Sequence, residues 1–383
     1  MKNVLKIGGV LLFIIQVPAI GNASDMGIEV QDTILSEIVD KESEHVDWFP
    51  EEGNTVKQLG LELRGEADYY SVDGETDHDN TGIKGTHLNF VMQGRLFDKF
   101  SYRIRHRINR SSADGNFFDA TDFALLRYHI NDKFTVDFGK RAMALAGIDV
   151  DYASIDIMIT NQFNSVMELY EWGTGFNIAL KKSNLYFEIV QSPYWESYGK
   201  RNIYAYSVMW SGNHSKNIEF MYSVNLMESH PGNFIGWLAL GHRINLNRFV
   251  IEADIHNRAS FAGSSSSKYW LFRNMSFIGA LKYMPLNNLT FALKGTYDFN
   301  TCDEQYDYDV YTSAGTDCGR VGFYAEYFPI KNESVRIHAA CYTDFGSNTS
   351  RYKEIVDKSV FLSAGLTWRI DFLKFFKNKT LFK

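Results

Sequence analysis

Apolar and polar side chains alternate along most of this chain. In residues 288–299, the odd-numbered positions carry Phe291, Leu293 and Tyr297, and the even-numbered positions carry Lys294 and Asp298. Successive side chains of a β-strand point to opposite faces of the sheet, so such a segment predicts a strand with one apolar and one polar face. The pattern recurs as far as residue 372, which predicts a chain made almost entirely of strands.

Strands are predicted at sixteen places, and the links between them are of two kinds. The segments lie near residues 59–71, 86–97, 99–110, 121–131, 132–140, 171–181, 184–193, 202–211, 217–228, 233–244, 247–258, 269–284, 288–299, 320–328, 334–344 and 358–372. Short turns alternate with long polar links, and the longest link runs from Lys140 to about Tyr170. An even strand number with this rhythm is typical of bacterial outer-membrane barrels. A large soluble β-sandwich or β-solenoid explains the alternation but not the rhythm of the links.

We therefore predict an all-β fold, a 16-stranded antiparallel transmembrane β-barrel over residues 59–372. Barrels of this size enclose a water-filled lumen. The link after Lys140 is too apolar to lie free in water, since it contains Ile148, Ile155 and Ile157. It is predicted to fold inward as a long constriction loop, where these side chains are buried against the barrel wall.

The first 23 residues have the parts of a secretory signal peptide. Lys2 and Lys6 give a positive start, residues 10–17 are apolar, and Gly21 and Ala23 fit cleavage after Ala23. The apolar run is shorter than the roughly 20 residues that a membrane-spanning helix needs. We expect export to the outer membrane of a Gram-negative bacterium. Residues 24–58 are predicted to be a periplasmic N-terminal segment, either an arm or a linker that becomes ordered on assembly.

Aromatic residues make up 15% of the chain, a high content that suits a membrane barrel. The apolar strand faces are predicted to meet outer-membrane lipid, with aromatic side chains near the lipid headgroups. Candidates for this belt are Phe97, Tyr128, Trp172, Tyr222, Trp237, Tyr283, Tyr327 and Trp368. The net charge of −7 comes from charges of both signs along the chain, and no basic stripe indicates a nucleic-acid partner.

Arginine alternates with apolar residues in FSYRIRHRINR, residues 100–110. Arg103, Arg105 and Arg107 share one face of the predicted strand, and this polar face is expected to line the lumen. Arg95 and Arg127 are possible neighbours on adjacent strands. Such groups can filter solutes by charge, or they can pair with carboxylates of neighbouring strands and serve the fold alone.

The stretches GTHLNFVMQGRLFDKFSYRIRHRINR (85–110) and DFALLRYHINDKFTVDFGKR (122–141) resemble the O/P-type, phosphate-selective porins of Gram-negative outer membranes. Specific motifs are limited to about residues 82–175, while strand number and loop rhythm extend the similarity over the mature chain. The resemblance implies a passive 16-stranded channel, usually a homotrimer. It also implies a pore-lining arginine ladder, which Arg103, Arg105 and Arg107 match in kind, and a lysine cluster at the inward loop, where Lys140 and Arg141 stand.

The long loop departs from that pattern. It has no Lys or Arg from residue 142 to residue 172 and carries acids instead, of which Asp149, Asp151 and Asp156 are candidates for the pore. An acidic loop opposite basic strands would create a transverse field that orients dipolar solutes. We expect a diffusion porin for small hydrophilic, ionic solutes, with a weak preference for anions such as phosphate or organic anions.

Two other classes of function stay open on the sequence alone. A barrel closed by its loop would serve as an adhesin or surface antigen, and an outer-membrane lipid hydrolase is the second alternative. Motifs such as G-x-S-x-G or a Gly-rich phosphate loop do not occur, so we expect no enzyme activity, cofactor or metal site. Cys302 and Cys318 flank one polar loop and can pair as a disulfide in an oxidising compartment.

The C-terminus differs from the usual ending of such barrels, an aromatic residue that the barrel-assembly machinery reads. Phe372 completes the alternating pattern, and a basic tail, residues 373–383, follows it. Either the machinery reads an internal Phe372, or the last strand continues beyond it. A place on the inner face of the membrane is a further possibility for the tail. We expect the simple extension of the strand.

Overall fold

The computed structural model describes residues 55–110, 116–161, 169–260, 273–301, 315–330, 334–348 and 358–377. Within them, sixteen long strands and one strand of two residues form a single antiparallel sheet. In chain order they are β1 (Thr55–Val72), β2 (Glu75–Thr76), β3 (Gly82–Leu96), β4 (Phe100–Arg107), β5 (Thr121–His129), β6 (Phe134–Ala142), β7 (Tyr170–Ala179), β8 (Ser183–Gln191), β9 (Tyr204–Ser215), β10 (Ile218–His230), β11 (Asn233–Leu246), β12 (Phe249–Ser260), β13 (Asn274–Leu286), β14 (Leu289–Asn300), β15 (Thr316–Tyr327), β16 (Val335–Asn348) and β17 (Ser359–Asp371).

Pairing between the first and last strands closes the sheet into a barrel. β1 pairs with β3 on one side and with β17 on the other, where Gly60 lies opposite Asp371 and Val72 opposite Ser359. The two-residue β2 pairs with the end of β1, so the barrel wall itself has sixteen strands. Each of the sixteen predicted segments overlaps one of these strands. The predicted fold class, strand number and antiparallel closure are confirmed.

The two faces of the strands differ as the alternation predicts. On β14 the buried set includes Lys294, Thr296 and Asp298, whereas Leu293 and Tyr297, on the alternate positions, are 54% and 36% exposed. The buried polar set faces the lumen, and the exposed apolar set forms the outer surface of the barrel. The same outward exposure recurs on other strands, at Leu126, Phe138, Val208, Val321, Leu362 and Trp368. Lipid contact explains why these apolar side chains stay exposed.

Four neighbouring strands, β8–β11, also carry apolar residues on their inward faces. We call these inward residues the apolar wall: Tyr186, Val190, Ala205, Met209, Met221, Met227, Ile235, Trp237 and Ala239. The prediction of Trp237 for the outer aromatic belt is therefore wrong. Trp237 is 2% exposed, and its indole N–H donates to His256 Nδ1 at 3.2 Å inside the barrel. A wall that is apolar on both faces needs a covering segment inside the lumen.

The ends of the barrel also differ from the predicted boundaries. β1 begins at Thr55, within the predicted N-terminal segment, and the signal peptide lies outside the described residues. β17 ends at Asp371, where a short helix, Phe372–Lys377, begins. The Asp371 carboxylate accepts the N–H groups of Leu373 at 3.0 Å and Lys374 at 3.4 Å, which stabilises this helix start. The expected extension of the last strand is therefore wrong.

Among the described residues, helical structure is confined to short pieces. A four-residue α-helix, Trp195–Tyr198, lies in the link after β8, and single 3-10 turns occur at Phe117–Ala120 and Ser154–Asp156. In the part of the chain that the structure describes, none of the helices is both long and apolar enough to cross a membrane.

Candidate functional site

The link between β6 and β7 runs through the inside of the barrel. Its described residues 143–161, here called the inner loop, bond to inward side chains from β8 to β17 and on β1. Met143, Leu145 and Ile148 of the inner loop pack against the apolar wall. Ile159 packs in a smaller cluster with Ala292 and Tyr324 on the other side of the lumen. The inner loop is the segment that covers the apolar wall.

Backbone groups of the inner loop are bonded to polar side chains of the barrel. The N–H groups of Ile148 and Asp149 both donate to the carboxylate of Asp254, each at 2.8 Å. The Ala146 N–H donates to Ser223 Oγ at 2.9 Å. A loop buried away from water has to satisfy its backbone donors in this way. The polar residues of β10 and β12 therefore support the course of the loop.

One predicted loop acid, Asp156, lies among three arginines that we call the clamp: Arg64, Arg336 and Arg369. Its carboxylate pairs with Arg336 at 2.8 Å and with Arg369. The Ile155 carbonyl accepts from Arg64 at 3.0 Å and from Arg336 at 2.7 Å. Burial alone would raise the pKa of Asp156, but the guanidinium groups of Arg369 and Arg336 lower it to about 2. Asp156 is therefore charged at neutral pH and holds the loop to β16 and β17, while Arg64 holds the Ile155 carbonyl to β1.

The second predicted acid, Asp149, also faces the barrel wall. Its carboxylate pairs with Lys294 of β14 and accepts the Asn161 amide at 2.6 Å. Lys294 donates in addition to the Ile159 carbonyl at 2.6 Å, so one lysine joins two parts of the inner loop. Two of the three predicted acids thus fasten the loop to β14, β16 and β17 and do not pair with the β4 arginines.

Two of the β4 arginines form a closed network with their neighbours. Arg105 is 1% exposed and donates from Nε to Asp122 at 2.9 Å. Arg107 pairs with the same carboxylate at 2.8 Å. The Arg105 guanidinium lies 4.9 Å from the centre of the Phe123 ring and 5.3 Å from that of Tyr170. These contacts hold β4, β5 and the start of β7 together.

Other arginines of the same wall lie beside open space. The Arg103 guanidinium stacks over Phe123 at 3.9 Å. Arg127 and Arg141 share the carboxylate of Asp137, at 3.1 and 2.8 Å. We call the inward faces of β3–β6, with Arg95, Arg103, Arg127 and Arg141, the arginine wall.

A cavity of about 700 Å³ separates the arginine wall from the inner loop. Its cationic lining consists of Arg95, Lys99, Arg103, Arg127 and Arg141, and its acids are Asp98, Asp132 and Asp151. Met143 and Leu145 of the inner loop and Met209 and Met221 of the apolar wall form an apolar part of the lining. The cavity lies towards the end of the barrel that carries the tight turns, since residues of the turns after β3 and β5 line it. It is a water-accessible space bordered by a cationic and an apolar surface.

Residues 58–222 match the family model described as phosphate-selective porin O and P. Over these residues the chain is similar to that porin family. The resemblance predicted from the β3–β6 motifs is confirmed, because those motifs lie within the matched residues. No curated protein matches the chain.

Solved outer-membrane proteins share the fold of this porin. The anion-selective porin of Comamonas acidovorans aligns with a TM-score of 0.59 at 7% identity, over 83% of this chain and 100% of its own. OmpT of Vibrio cholerae aligns with a TM-score of 0.56 at 9% identity, over 85% and 100% of the two chains. The channel DcaP of Acinetobacter baumannii aligns with a TM-score of 0.54 at 14% identity, over 84% and 99%. Family and fold together identify an outer-membrane diffusion porin of a Gram-negative bacterium.

The structure divides the predicted pore residues of the porin into three groups. Arg95, Arg103, Arg127, Arg141 and Asp151 line the cavity. Arg105, Arg107, Asp149 and Asp156 face the lumen but bond to neighbouring strands or to the loop. Lys140 is placed wrongly by the prediction: it alternates with Arg141, shares the outward face of Phe138, and donates to the Phe118 carbonyl at 2.8 Å.

The sequence did not predict several partners of these charged residues. Asp122 pairs with Arg105, and Asp137 pairs with Arg127. Tyr152 connects the loop to Arg243 at 2.8 Å and to Glu252. Alternation alone places the two aspartates on polar or bulged strand positions but does not reveal their partners. Cys302 lies outside the described residues, so its disulfide with Cys318 stays a prediction.

Proposed function

We propose that this porin prefers anions and that the arginine wall sets the preference. The observation that carries the proposal is the convergence of Arg95, Arg103, Arg127 and Arg141, from four adjacent strands, on one cavity. Clusters of guanidinium groups raise the local concentration of anions in a water-filled passage. Asp137 neutralises part of the charge of Arg127 and Arg141, so the preference is modest.

The inner loop is proposed to narrow the passage on the side opposite the arginine wall. Its bonds to β8, β12, β16 and β17 fasten it to parts of the barrel wall outside β3–β6. Solutes would then pass between the loop and the guanidinium groups. Asp151 is the predicted loop acid that borders this space, and it supplies the acidic side of the proposed transverse field.

A homotrimer in outer-membrane lipid is the proposed assembly. The family resemblance supports it, and OmpT of Vibrio cholerae has been solved in a trimer form. The outward apolar side chains suit contact with lipid or with other subunits. Folding by the barrel-assembly machinery would require recognition of a sequence near Phe372, which begins the terminal helix.

The test is single-channel current in planar bilayers under a tenfold KCl gradient. A steady open conductance with a reversal potential displaced towards that of chloride is expected. Arg103→Gln should reduce the displacement, because it removes a cation beside the cavity. The matched control is Arg258→Gln, since Arg258 is an inward, buried arginine over Trp237, with its guanidinium 5.9 Å from the ring, outside the cavity lining.

The outcomes separate the alternatives. A folded barrel without conductance would contradict the channel and favour an adhesin or surface antigen, and hydrolysis of lipid substrates would indicate an enzyme. A channel is preferred over the lipid hydrolase because the family match is to porins. A conducting barrel that is cation-selective would contradict the anion preference and leave the porin function in place.

A further inference from the structure

We propose that the cavity binds amphipathic organic anions, meaning carboxylates that carry an apolar chain or ring. This inference rests on the proposed anion preference and adds the class of solute that the site retains. The juxtaposition that carries it is the arginine wall on one side and four apolar side chains on the other: Met143, Leu145, Met209 and Met221.

The apolar lining is not what a site for inorganic ions requires. A hydrated chloride or phosphate ion gains nothing from a methionine or leucine surface, and loses hydrogen bonds if water is displaced there. A hydrocarbon chain is stabilised on the same surface, because its contact with water is reduced. The two surfaces together therefore match a solute that has a charged end and an apolar end.

The cationic side provides groups suited to a carboxylate. The planar guanidinium groups of Arg103, Arg127 and Arg141 can donate two parallel hydrogen bonds to a carboxylate. Arg127 and Arg141 share the carboxylate of Asp137, and Arg141 also pairs with Glu188 at 3.5 Å. The further cations of the lining are Arg95, Lys99 and Arg103. Burial raises the pKa of Asp151 to about 7, which weakens the negative charge that this residue presents to an anion at neutral pH.

The volume of the cavity and the flexible side chains of its lining suit a small organic molecule. Its volume of about 700 Å³ lies within the range of about 300–1,000 Å³ that is usual for small-molecule sites. The apolar lining includes three methionines, Met143, Met209 and Met221, whose flexible side chains adapt to ligands of different shape. We expect selectivity for an apolar portion in general, with little discrimination between a linear chain and a ring.

The experiment compares octanoate with acetate as blockers of the KCl current in planar bilayers. The two share a carboxylate and differ in chain length. Octanoate should halve the current at a concentration at least about tenfold lower than acetate, because part of its chain contacts the apolar lining. Octyltrimethylammonium, with the same chain length and the opposite charge, should not block at the half-blocking concentration of octanoate. Each compound is used below the concentration at which it disturbs a protein-free bilayer.

Variants of the apolar wall test which residues contact the octanoate chain. Met209→Gln should raise the half-blocking concentration of octanoate by about fivefold, since a polar group replaces part of the apolar lining, and leave that of acetate and the reversal potential unchanged. Met227→Gln is the matched control, because Met227 belongs to the same apolar wall, is fully buried and lies outside the cavity lining. Calorimetric titration of the wild-type barrel in lipid nanodiscs repeats the octanoate–acetate comparison without depending on a variant or on conductance.

The results distinguish the two proposals. A chloride-selective channel that octanoate and acetate block equally well would overturn the inference and leave the proposed function intact. A folded barrel without conductance would contradict the proposed function, and the calorimetric comparison would then decide the inference. Equal binding of the two carboxylates in that titration would overturn it.

Discussion

The clamp and the arginine wall face the same lumen with the same residue type, yet they differ in what covers them. In the clamp, Arg64, Arg336 and Arg369 surround Asp156 and the Ile155 carbonyl of the inner loop. In the arginine wall, the carboxylate partners come from the wall itself, chiefly Asp137, and the guanidinium groups border a cavity. Lumenal arginines therefore attach the inner loop where it lies over them, and we propose that they contact solutes where they border the cavity.

The clamp and the arginine wall should also differ in how a substitution changes the stability of the barrel. A buried ion pair contributes little by its formation, but removing one partner leaves an uncompensated buried charge. Loss of the loop acid should thus affect stability and loop position, whereas loss of an arginine at the cavity should affect selectivity. The variants below test that division.

The largest effect is expected for Asp156→Asn. It removes the carboxylate that Arg336 and Arg369 share, while Glu326 and Glu62 remain as their partners. The loss of these charged hydrogen bonds should lower the free energy of unfolding by about 3 kcal/mol. Chemical unfolding in lipid, followed by tryptophan fluorescence, measures the loss. Single-channel conductance should increase because the inner loop is released from the clamp. Asp77→Asn, in an exposed loop, is the control, and equal behaviour of the two variants would contradict the clamp.

A smaller loss of stability is expected for Arg105→Gln. The variant removes a buried charged hydrogen bond to Asp122, and such bonds contribute about 1.5–3 kcal/mol. Because Arg105 is enclosed by Phe123 and Tyr170, the reversal potential should change less than in Arg103→Gln. Unfolding and reversal-potential measurements on both variants check this. A larger selectivity change in Arg105→Gln than in Arg103→Gln would show that the enclosed arginine, too, acts on solutes.

The anion selectivity should depend moderately on pH, and we assign this dependence to Asp151. Burial raises its pKa to about 7, and Glu219 and Glu252 add to the effect while Arg243 opposes it. The carboxyl group is mainly neutral at pH 6 and mainly charged at pH 8, so the anion preference should weaken as pH rises. Since the raised pKa disfavours the charged form in the folded state, the stability contribution of Asp151 also falls from the usual carboxyl range up to about pH 7.

Reversal potentials at pH 6 and pH 8 measure this dependence, and Asp151→Asn should abolish it. Asp156 provides an internal contrast, because its pKa of about 2 keeps it charged throughout that range. A pH dependence that persists in Asp151→Asn would assign the titration to another group.

The smallest effect is expected for Lys140→Gln. Lys140 faces outward and bonds to the Phe118 carbonyl, so the reversal potential should remain that of the unaltered porin. The neighbouring change Arg141→Gln, at the cavity, should shift it towards potassium. A shift of similar size in both variants would mean that outward charges contribute to selectivity.

Alternation of side chains, together with the rhythm of short turns and long links, was sufficient to predict the barrel. Each strand carries its own period-two pattern, and the pattern is local, so sixteen strands and the two faces of most of them could be assigned without knowing their neighbours. The same logic predicted that Arg103 faces the lumen. It failed for Trp237, because β11 carries apolar residues on its inward face too, such as Ile235 and Ala239, and alternation then no longer distinguishes inside from outside.

The roles of the charged residues depended on the tertiary structure. Asp156 is 180 residues from Arg336 in the chain, and only closure of the barrel brings this partner to the loop. Lys140 and Arg141 look equivalent as neighbours in the sequence, yet the strand places them on opposite faces.

The sequence by itself thus determined the wall of this porin, because strand alternation is a local property. The tertiary structure decided which arginines attach the loop and which border the cavity, because that choice depends on contacts between segments far apart in the chain.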